Sequence, residues 1–392
     1  MRISTNTLFE TGSARLSDLQ ARLQKTQVQL STGRRIMTPA DDPVGASQAL
    51  DLTQAKGVNS QYATNRQGAK NSLNQEESTL AGATSLLQDM KTLVVQAGNT
   101  VLSNADRASI AIDLRGRLDD LIALSNDKDG AGAYLFAGYQ TSTPAFTKTA
   151  TGAQYQGDQG QRFAQVGSAR QIALSDSGDA VFERNKTIVT AAAGANTGSG
   201  TISAGAVVAP TLLTGDSYSV NFTGTGTTYD VVDTTTGTTL SSGNAYTSGQ
   251  SITFAGLAFD INGSPAAGDT FSTTQRNNQS IFTALSDLIT QLQTPGTATL
   301  AAGVAAANGN IDQGLDNVLT VRASVGSRLR ELDALDSAGD DRNIQYAQTL
   351  SQLQDLDYTK AITELTQQQT ILTAAQQSFV KISGLSLFNY LN

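Results

Sequence analysis

The stretch SLNQEESTLAGATSLLQDMKTLVVQAGNTVL, residues 72–102, sets the architecture. Leu73, Leu80, Leu87, Met90, Val94, Ala97 and Val101 step through it by 7, 7, 3, 4, 3 and 4. Steps of three and four keep side chains on one face of an α-helix. A seven-residue repeat narrows that face to an a/d seam suited to a helical partner. No proline interrupts the run, and proline inside a helix costs roughly 3 kcal/mol.

The same pattern recurs toward both ends of the 392-residue chain. Phe9, Leu16, Leu19, Leu23 and Leu30 mark one stripe. Tyr358, Ile362, Leu365, Leu372, Ala375, Phe379 and Ile382 mark another. All six prolines (Pro39, Pro43, Pro144, Pro210, Pro265 and Pro295) fall outside these runs. The first helix is therefore expected over 6–32, with Gly33 as its left-handed C-terminal cap. The loop RRIMTPADDP follows, and Asp42-Pro43 reads as a cap and first-turn proline that restart a helix. A third helix carries Ile110, Leu114, Leu118, Leu121 and Leu124, after a break at Ser103-Asn104. It stops at the turn residues Asn126 to Gly130. Helix returns near Asn277 with Ile281, Leu285, Leu288 and Leu292, ended by Pro295-Gly296. A last stripe, from Ile311 through Val325 to Leu335, is expected to run past Gly339 into a terminal helix starting near Arg342.

The middle of the chain differs in kind. Of 22 aromatic residues, 15 lie between Tyr134 and Phe282, so this part builds its core from rings and the arms build theirs from Leu and Ala. Residues 187–275 contain no Lys, Arg or Glu. Apolar and polar residues alternate in Tyr218–Phe222, Tyr229–Val231, Ile252–Phe254 and Leu257–Ile261, with Gly, Asp and Asn between them. That pattern predicts antiparallel β structure. The Gly/Ala/Thr-rich stretch 191–211 reads as loop or weak strands.

The fold class is thus α+β: a long antiparallel helical bundle or coiled coil formed by both chain termini, with an inserted antiparallel β-rich outer domain. Segments 1–42 and 343–392 are expected to be terminal coiled-coil assembly segments. Segments 43–138 and 276–342 form a helical core domain, and 139–275 the insertion. The terminal segments, poor in large side chains beyond their stripes, are expected to gain order only on assembly.

Composition excludes most chemistry. Without His or Cys there is no histidine base, thiol nucleophile or thiolate metal site. The formal charge of −8 opposes a nucleic-acid partner. No run is long enough to span a bilayer, and no apolar secretory core follows the start, so neither membrane insertion nor signal cleavage is expected. The adjacent carboxylates Asp41-Asp42, Glu76-Glu77, Asp119-Asp120 and Asp340-Asp341 are expected on solvated faces and caps, because helix neighbours point apart. Asp127-Lys-Asp129-Gly130 lacks the closing glutamate of a calcium loop. Gly224-Thr-Gly226 lacks the Lys-Ser/Thr of a phosphate loop. Neither enzyme activity nor a cofactor or metal is expected.

The stretch Leu30-Ser-Thr-Gly-Arg-Arg-Ile-Met-Thr-Pro-Ala-Asp-Asp-Pro-Val-Gly-Ala-Ser-Gln-Ala49 resembles the signature of bacterial flagellins and their hook-associated relatives. Pro43, where flagellins carry Ala, resembles the hook–filament junction branch of that family. So does the ending Ser386-Leu-Phe-Asn-Tyr-Leu391. Tyr134–Gly138, Tyr155–Asp158, Asp176–Phe182 and Asp357–Leu365 resemble the same branch. Residues 215–274 are also similar to a module of hook-associated protein 1.

The resemblance implies a structural adaptor. It would be exported through the flagellar type III apparatus without signal cleavage, after a cytosolic export chaperone holds its C-terminal helix. It would assemble with copies of itself between hook-associated protein 1 and flagellin. The assembly residues it implies are Leu16, Leu19, Leu23, Leu30, Arg34, Asp41, Asp42, Tyr358, Ile362, Leu365, Leu372, Phe379, Leu387 and Phe388. A flagellin filament subunit and a secreted adhesin or fibre remain open alternatives.

Overall fold

The computed structural model describes residues 5–130, 132–203, 205–209, 212–294 and 300–384. Six α-helices flank thirteen short strands: α1 (Thr5–Thr32), α2 (Pro43–Ala97), α3 (Asn104–Ser125), β1 to β13 between Phe146 and Gln279, α4 (Ile281–Gln293), α5 (Leu300–Gln354) and α6 (Tyr358–Gly384). The chain divides into two compact units. One comprises residues 1–64 and 334–392; the other comprises 65–333. The boundaries fall inside α2 and α5.

In the larger unit, the heptad read from the sequence is the core. Leu73, Leu80, Leu87, Met90, Val94 and Ala97 on α2 are completely buried. Val101 is not part of it: α2 ends at Ala97, and Val101 sits 88% exposed in the turn that follows. The next helix starts where Ser103 caps it. Ser103 Oγ accepts from the Asp106 amide at 3.2 Å, and Asp106 Oδ2 accepts from the Ser103 amide at 3.1 Å. This reciprocal capping box satisfies two helix-end donors. Helix α3 packs on α4.

The aromatic residues of 134–182 form a cluster with α4. Phe146 meets Tyr155, Phe182 and Phe282 at ring-centroid distances of 5.1, 5.8 and 4.9 Å. The hairpin β1 (Phe146–Thr149) with β2 (Gly152–Tyr155) supplies Phe146 and Tyr155 to it, and a second hairpin pairs β3 (Phe163–Gly167) with β4 (Arg170–Ala173). Gly152 has φ +116°, and a Cβ there would lie 2.6 Å from the Phe282 carbonyl oxygen, so only glycine fits.

The β region is antiparallel, as the alternation predicted. One sheet has the order β10 (Thr239–Ala245), β9, β8, β13, β5 (Asn185–Ala192); a second has β11 (Ser251–Phe254), β12 (Leu257–Asn262), β6, with β7 also on β12. Val220 of β8 (Ser217–Thr223) lies opposite Val231 of β9 (Thr228–Asp233) and Phe271 of β13 (Thr270–Gln279). These side chains share a core with Phe222, Ile252, Phe259 and Ile261. Among the described residues of 191–211 are the end of β5 and the two-residue strands β6 (Thr201–Ile202) and β7 (Ala206–Val207).

Two boundaries differ from the sequence reading. Strand β13 continues through Asn277 to Gln279, pairing Gln279 with Asn185, so helix begins at Ile281 rather than Asn277. Its TTQRNNQ segment has no apolar alternation, and backbone pairing holds it instead. Helix α5 passes through Gly339 and Arg342 without a break, and the chain interrupts itself at 355–357. The restart signal is Asp357, whose Oδ1 accepts from the Lys360 amide at 3.1 Å, an N-cap bond. The Pro295-Gly296 stop lies outside the described residues.

Candidate functional site

The site is built from the chain's two helical ends and the loop 33–43, all within the smaller unit. Helices α1 and α6 run antiparallel: Phe9 meets Phe379 at a centroid distance of 5.2 Å, and Gly33 approaches Tyr358 at the other end. Leu16, Leu19, Leu23 and Leu30 line the α1 side, each only half-buried. On α6 the matching residues are Ala361, Leu365, Gln368, Leu372, Ala375 and Phe379, at steps of 4, 3, 4, 3 and 4. Within the chain, Ile362 is not part of this seam, although the apolar stripe included it. It lies on the outer face, 52% exposed, and Ala361 takes the seam position at 3%. The side chains of Ile382, Leu387 and Phe388 lie outside the described residues.

Two polar residues in the seam escaped the apolar reading. Thr26 is buried, and its hydroxyl bridges the Arg22 carbonyl and Gln368 Oε1, each at 3.1 Å. A polar pair in an otherwise apolar seam favours one register, since a slip separates Gln368 from Thr26 and sets it against apolar side chains. The signal was present as a Thr and a Gln at heptad positions, but an apolar count passes over them.

The loop between α1 and α2 is held shut by its carboxylates. Gly33 has φ +69°, and a Cβ there would come within 2.8 Å of Tyr358 Oη. Glycine is thus required both by conformation and by Tyr358. The chain then pairs with the α5–α6 junction: the Arg35 amide donates to the Gln354 carbonyl at 2.7 Å, and the Leu356 amide to Gly33 at 2.9 Å. Asp41 Oδ2 accepts from the amides of Met37 and Thr38 at 3.0 and 2.9 Å, and Oδ1 pairs with Lys25 of α1 at 2.5 Å. The Lys25 ammonium, then the two amides, hold its carboxyl well below the usual carboxylate range. Asp42 caps α2 by accepting from the Gly45 amide at 2.9 Å, and Arg35 pairs with its other oxygen at 3.2 Å. Those donors lower its pKa, the amide first.

Asp42 is therefore the cap that the sequence suggested, and Asp41 clamps the loop to α1. The arginines divide differently. Arg34 contributes its backbone in a bridge to Asp355 and projects an exposed side chain. Arg35 makes the ties, its Nη2 donating to the Leu353 carbonyl at 2.8 Å. The sequence reading missed Arg35 and Lys25 because their roles depend on where α5 ends and on how α1 faces the loop.

Apolar side chains also stand exposed on this unit. Phe9, Val44, Leu50, Ile344, Tyr358, Ile362 and Val380 are each more than half exposed. Among the described residues there is no cluster of potential metal ligands, and no helix is long and apolar enough to cross a membrane.

Comparison with known proteins decides what kind of structure this is. Residues 3–141 match the bacterial flagellin N-terminal helical region. The flagellar hook-associated protein 3 of Escherichia coli is 31% identical over 394 aligned residues, 99% of each chain. The Salmonella typhimurium protein of that name is 32% identical with the same coverage. The chain belongs to the flagellar hook-associated protein 3 family. The Legionella pneumophila hook-associated protein 3 structure superposes with a TM-score of 0.63 at 29% identity, covering 77% of this chain and 98% of that one. Like other members of the hook-associated protein 3 family, the chain is a structural component of the bacterial flagellum and not an enzyme. The α1 side of the seam and the clamped loop lie within the residues that match the flagellin N-terminal region.

Proposed function

We propose that this chain is the adaptor that joins the flagellar hook to the filament, meeting hook-associated protein 1 on one side and the first flagellin subunits on the other. The observation that carries the reading is the α1–α6 pair. Among the described residues of these two helices, only Thr26 and Ala361 are fully buried. Burying a Leu side chain contributes roughly 1.5–3 kcal/mol, but only when its surface leaves water. A seam this shallow, beside a face with half-exposed aromatic and aliphatic residues, is suited to further helices from neighbouring copies. Heterologous head-to-tail contacts then extend into a ring or helical array rather than closing as a dimer. Residues 1–42 and 343–392 act as the assembly segments and 139–275 as an outward-facing domain.

Export would proceed through the flagellar type III apparatus without signal cleavage, a cytosolic chaperone holding the C-terminal helix beforehand. Similarity from end to end of the chain favours this reading over a filament subunit or a secreted fibre.

Leu365→Asp tests it. The substitution puts a charge into the seam and should leave the larger unit folded while cells shed flagellin into the medium. A clean deletion viewed by electron microscopy should give hooks without filaments. Long filaments on either strain would overturn the assignment.

A further inference from the structure

Within the larger unit, one carboxylate of the α2 heptad is not where a carboxylate belongs. Glu76 is completely buried, which corrects the expectation of solvated faces and caps for the adjacent acids. Asp119, Asp120, Asp340 and Asp341 are exposed as expected. Glu76 Oε1 accepts from the Asp176 amide at 2.9 Å, and Oε2 has no partner among the described residues. Asp176 is itself buried. Its Oδ1 accepts from Gln161 Nε2 at 2.7 Å, and its Oδ2 from Arg328 Nη2 of α5. Arg328 Nη1 also donates to the Ala173 carbonyl at 3.2 Å. The chain from Ser175 to Ser177 is buried throughout, and it leads from β4 toward β5 (Asn185–Ala192), where the chain enters the larger sheet.

The charges in this knot do not balance. Glu76 and Asp176 face one guanidinium, Arg328. The adjacent Glu77 cannot share it, being paired with Arg322 at 2.7 Å. Two ionised carboxylates and one cation would leave a buried net negative charge, which is costly in a low-dielectric interior. One proton removes the imbalance.

We infer that Glu76, Asp176 and Arg328 form a proton-dependent latch that fastens the 174–178 segment to α2 and α5, closed while the carboxylate pair retains one proton and loosened when it is lost. Burial, and then the Asp176 carboxylate, push the Glu76 carboxyl up to about 8, against the opposing effects of the Asp176 amide and Arg328. The sign follows from proton binding. The unfolded chain releases this proton near the ordinary value of 4.5, and the folded chain holds it to about 8. The folded state binds more protons between those values, so its stability falls as pH rises through that window. Below the window the contribution is fully present; above it, it is gone. The chain has no His or Cys, so the side chains that usually sense neutral pH are absent. Glu183 is the other carboxyl raised, by burial and then by Asp179. The inference does not depend on the junction role.

The test compares the full-length chain with Glu76→Gln by urea denaturation between pH 5 and 8.5, with hydrogen exchange of 172–184 peptides corrected for intrinsic rate. A single linked proton raises the unfolding constant by at most about tenfold per pH unit. Wild type should approach that limit in the lower part of the range and show faster opening of 172–184 at pH 8.5. Glu76→Gln should lose most of both dependences. Equal slopes in the two proteins would overturn the latch. If Glu76→Gln does not fold, carboxyl NMR of wild type decides: a buried glutamate resonance titrating near 8 supports the latch, and all glutamates titrating below 6 overturns it.

Discussion

The heptad of α2 between Leu73 and Ala97 and the heptads of α1 and α6 follow one sequence rule and reach different ends. In the first, six apolar residues are wholly removed from water. In the second, Leu16, Leu19, Leu23 and Leu30 remain half-exposed. The difference is the number of partners. A helix surrounded by others buries its whole stripe, whereas a helix with one partner leaves the edges of its stripe in solvent. A heptad states that a helix has an apolar face, not how many neighbours cover it.

Substitutions can break that contrast. The largest stability effect is expected at the fully buried seam. Leu87→Ala should cost about 2–5 kcal/mol through lost burial and a residual cavity. Urea denaturation should register the loss, together with faster exchange of α2 amides. Leu19→Ala removes a comparable side chain from the half-buried seam, and about 1 kcal/mol is expected in the isolated chain. A larger loss at Leu19 than at Leu87 would mean that α1 has more cover than the single α6 partner provides.

The smallest effect concerns the clamped loop. The Asp41 carboxyl is held below its ordinary value of 3.8, chiefly by Lys25 and then by the Thr38 and Met37 amides. A lowered pKa gives a contribution that is present above the unfolded value and lost as pH falls through the folded one. Hydrogen exchange at Met37 and Thr38 should stay slow down to strongly acid pH in wild type. In Lys25→Met the protection should be lost at a higher pH. Identical acid profiles would show that the two amides, and not the ion pair, shut the loop.

Much of the fold could be read from spacing alone. Helices α1 to α3, the Gly33 cap and the Asp42 restart follow from local rules, since a cap or a breaker acts within one turn of chain. The hairpins of 146–173 were hidden because their four- and five-residue strands are too short to show alternation, and the first of them is held by the ring cluster around Phe146 and Phe282. In the candidate site, Asp41 and Asp42 were visible as loop residues. Lys25 and Arg35 were not, because Lys25 depends on how α1 faces the loop and Arg35 on where α5 ends.

By itself the sequence determined which segments are helical, that the middle is antiparallel β, and that histidine and thiol chemistry are absent. Those properties depend on residue type and near neighbours. Heptad steps already put Thr26, Gln368 and Glu76 on apolar faces. Only the tertiary structure decided that Ala361 rather than Ile362 enters the α1 seam, that Thr26 meets Gln368, and that Asp176 lies beside Glu76. The last two join elements 342 and 100 residues apart, which local spacing cannot bring together. The first has a local geometric reason. A one-residue step on a helix turns a side chain by about 100°, so the facing partner fixes which of two adjacent residues is buried.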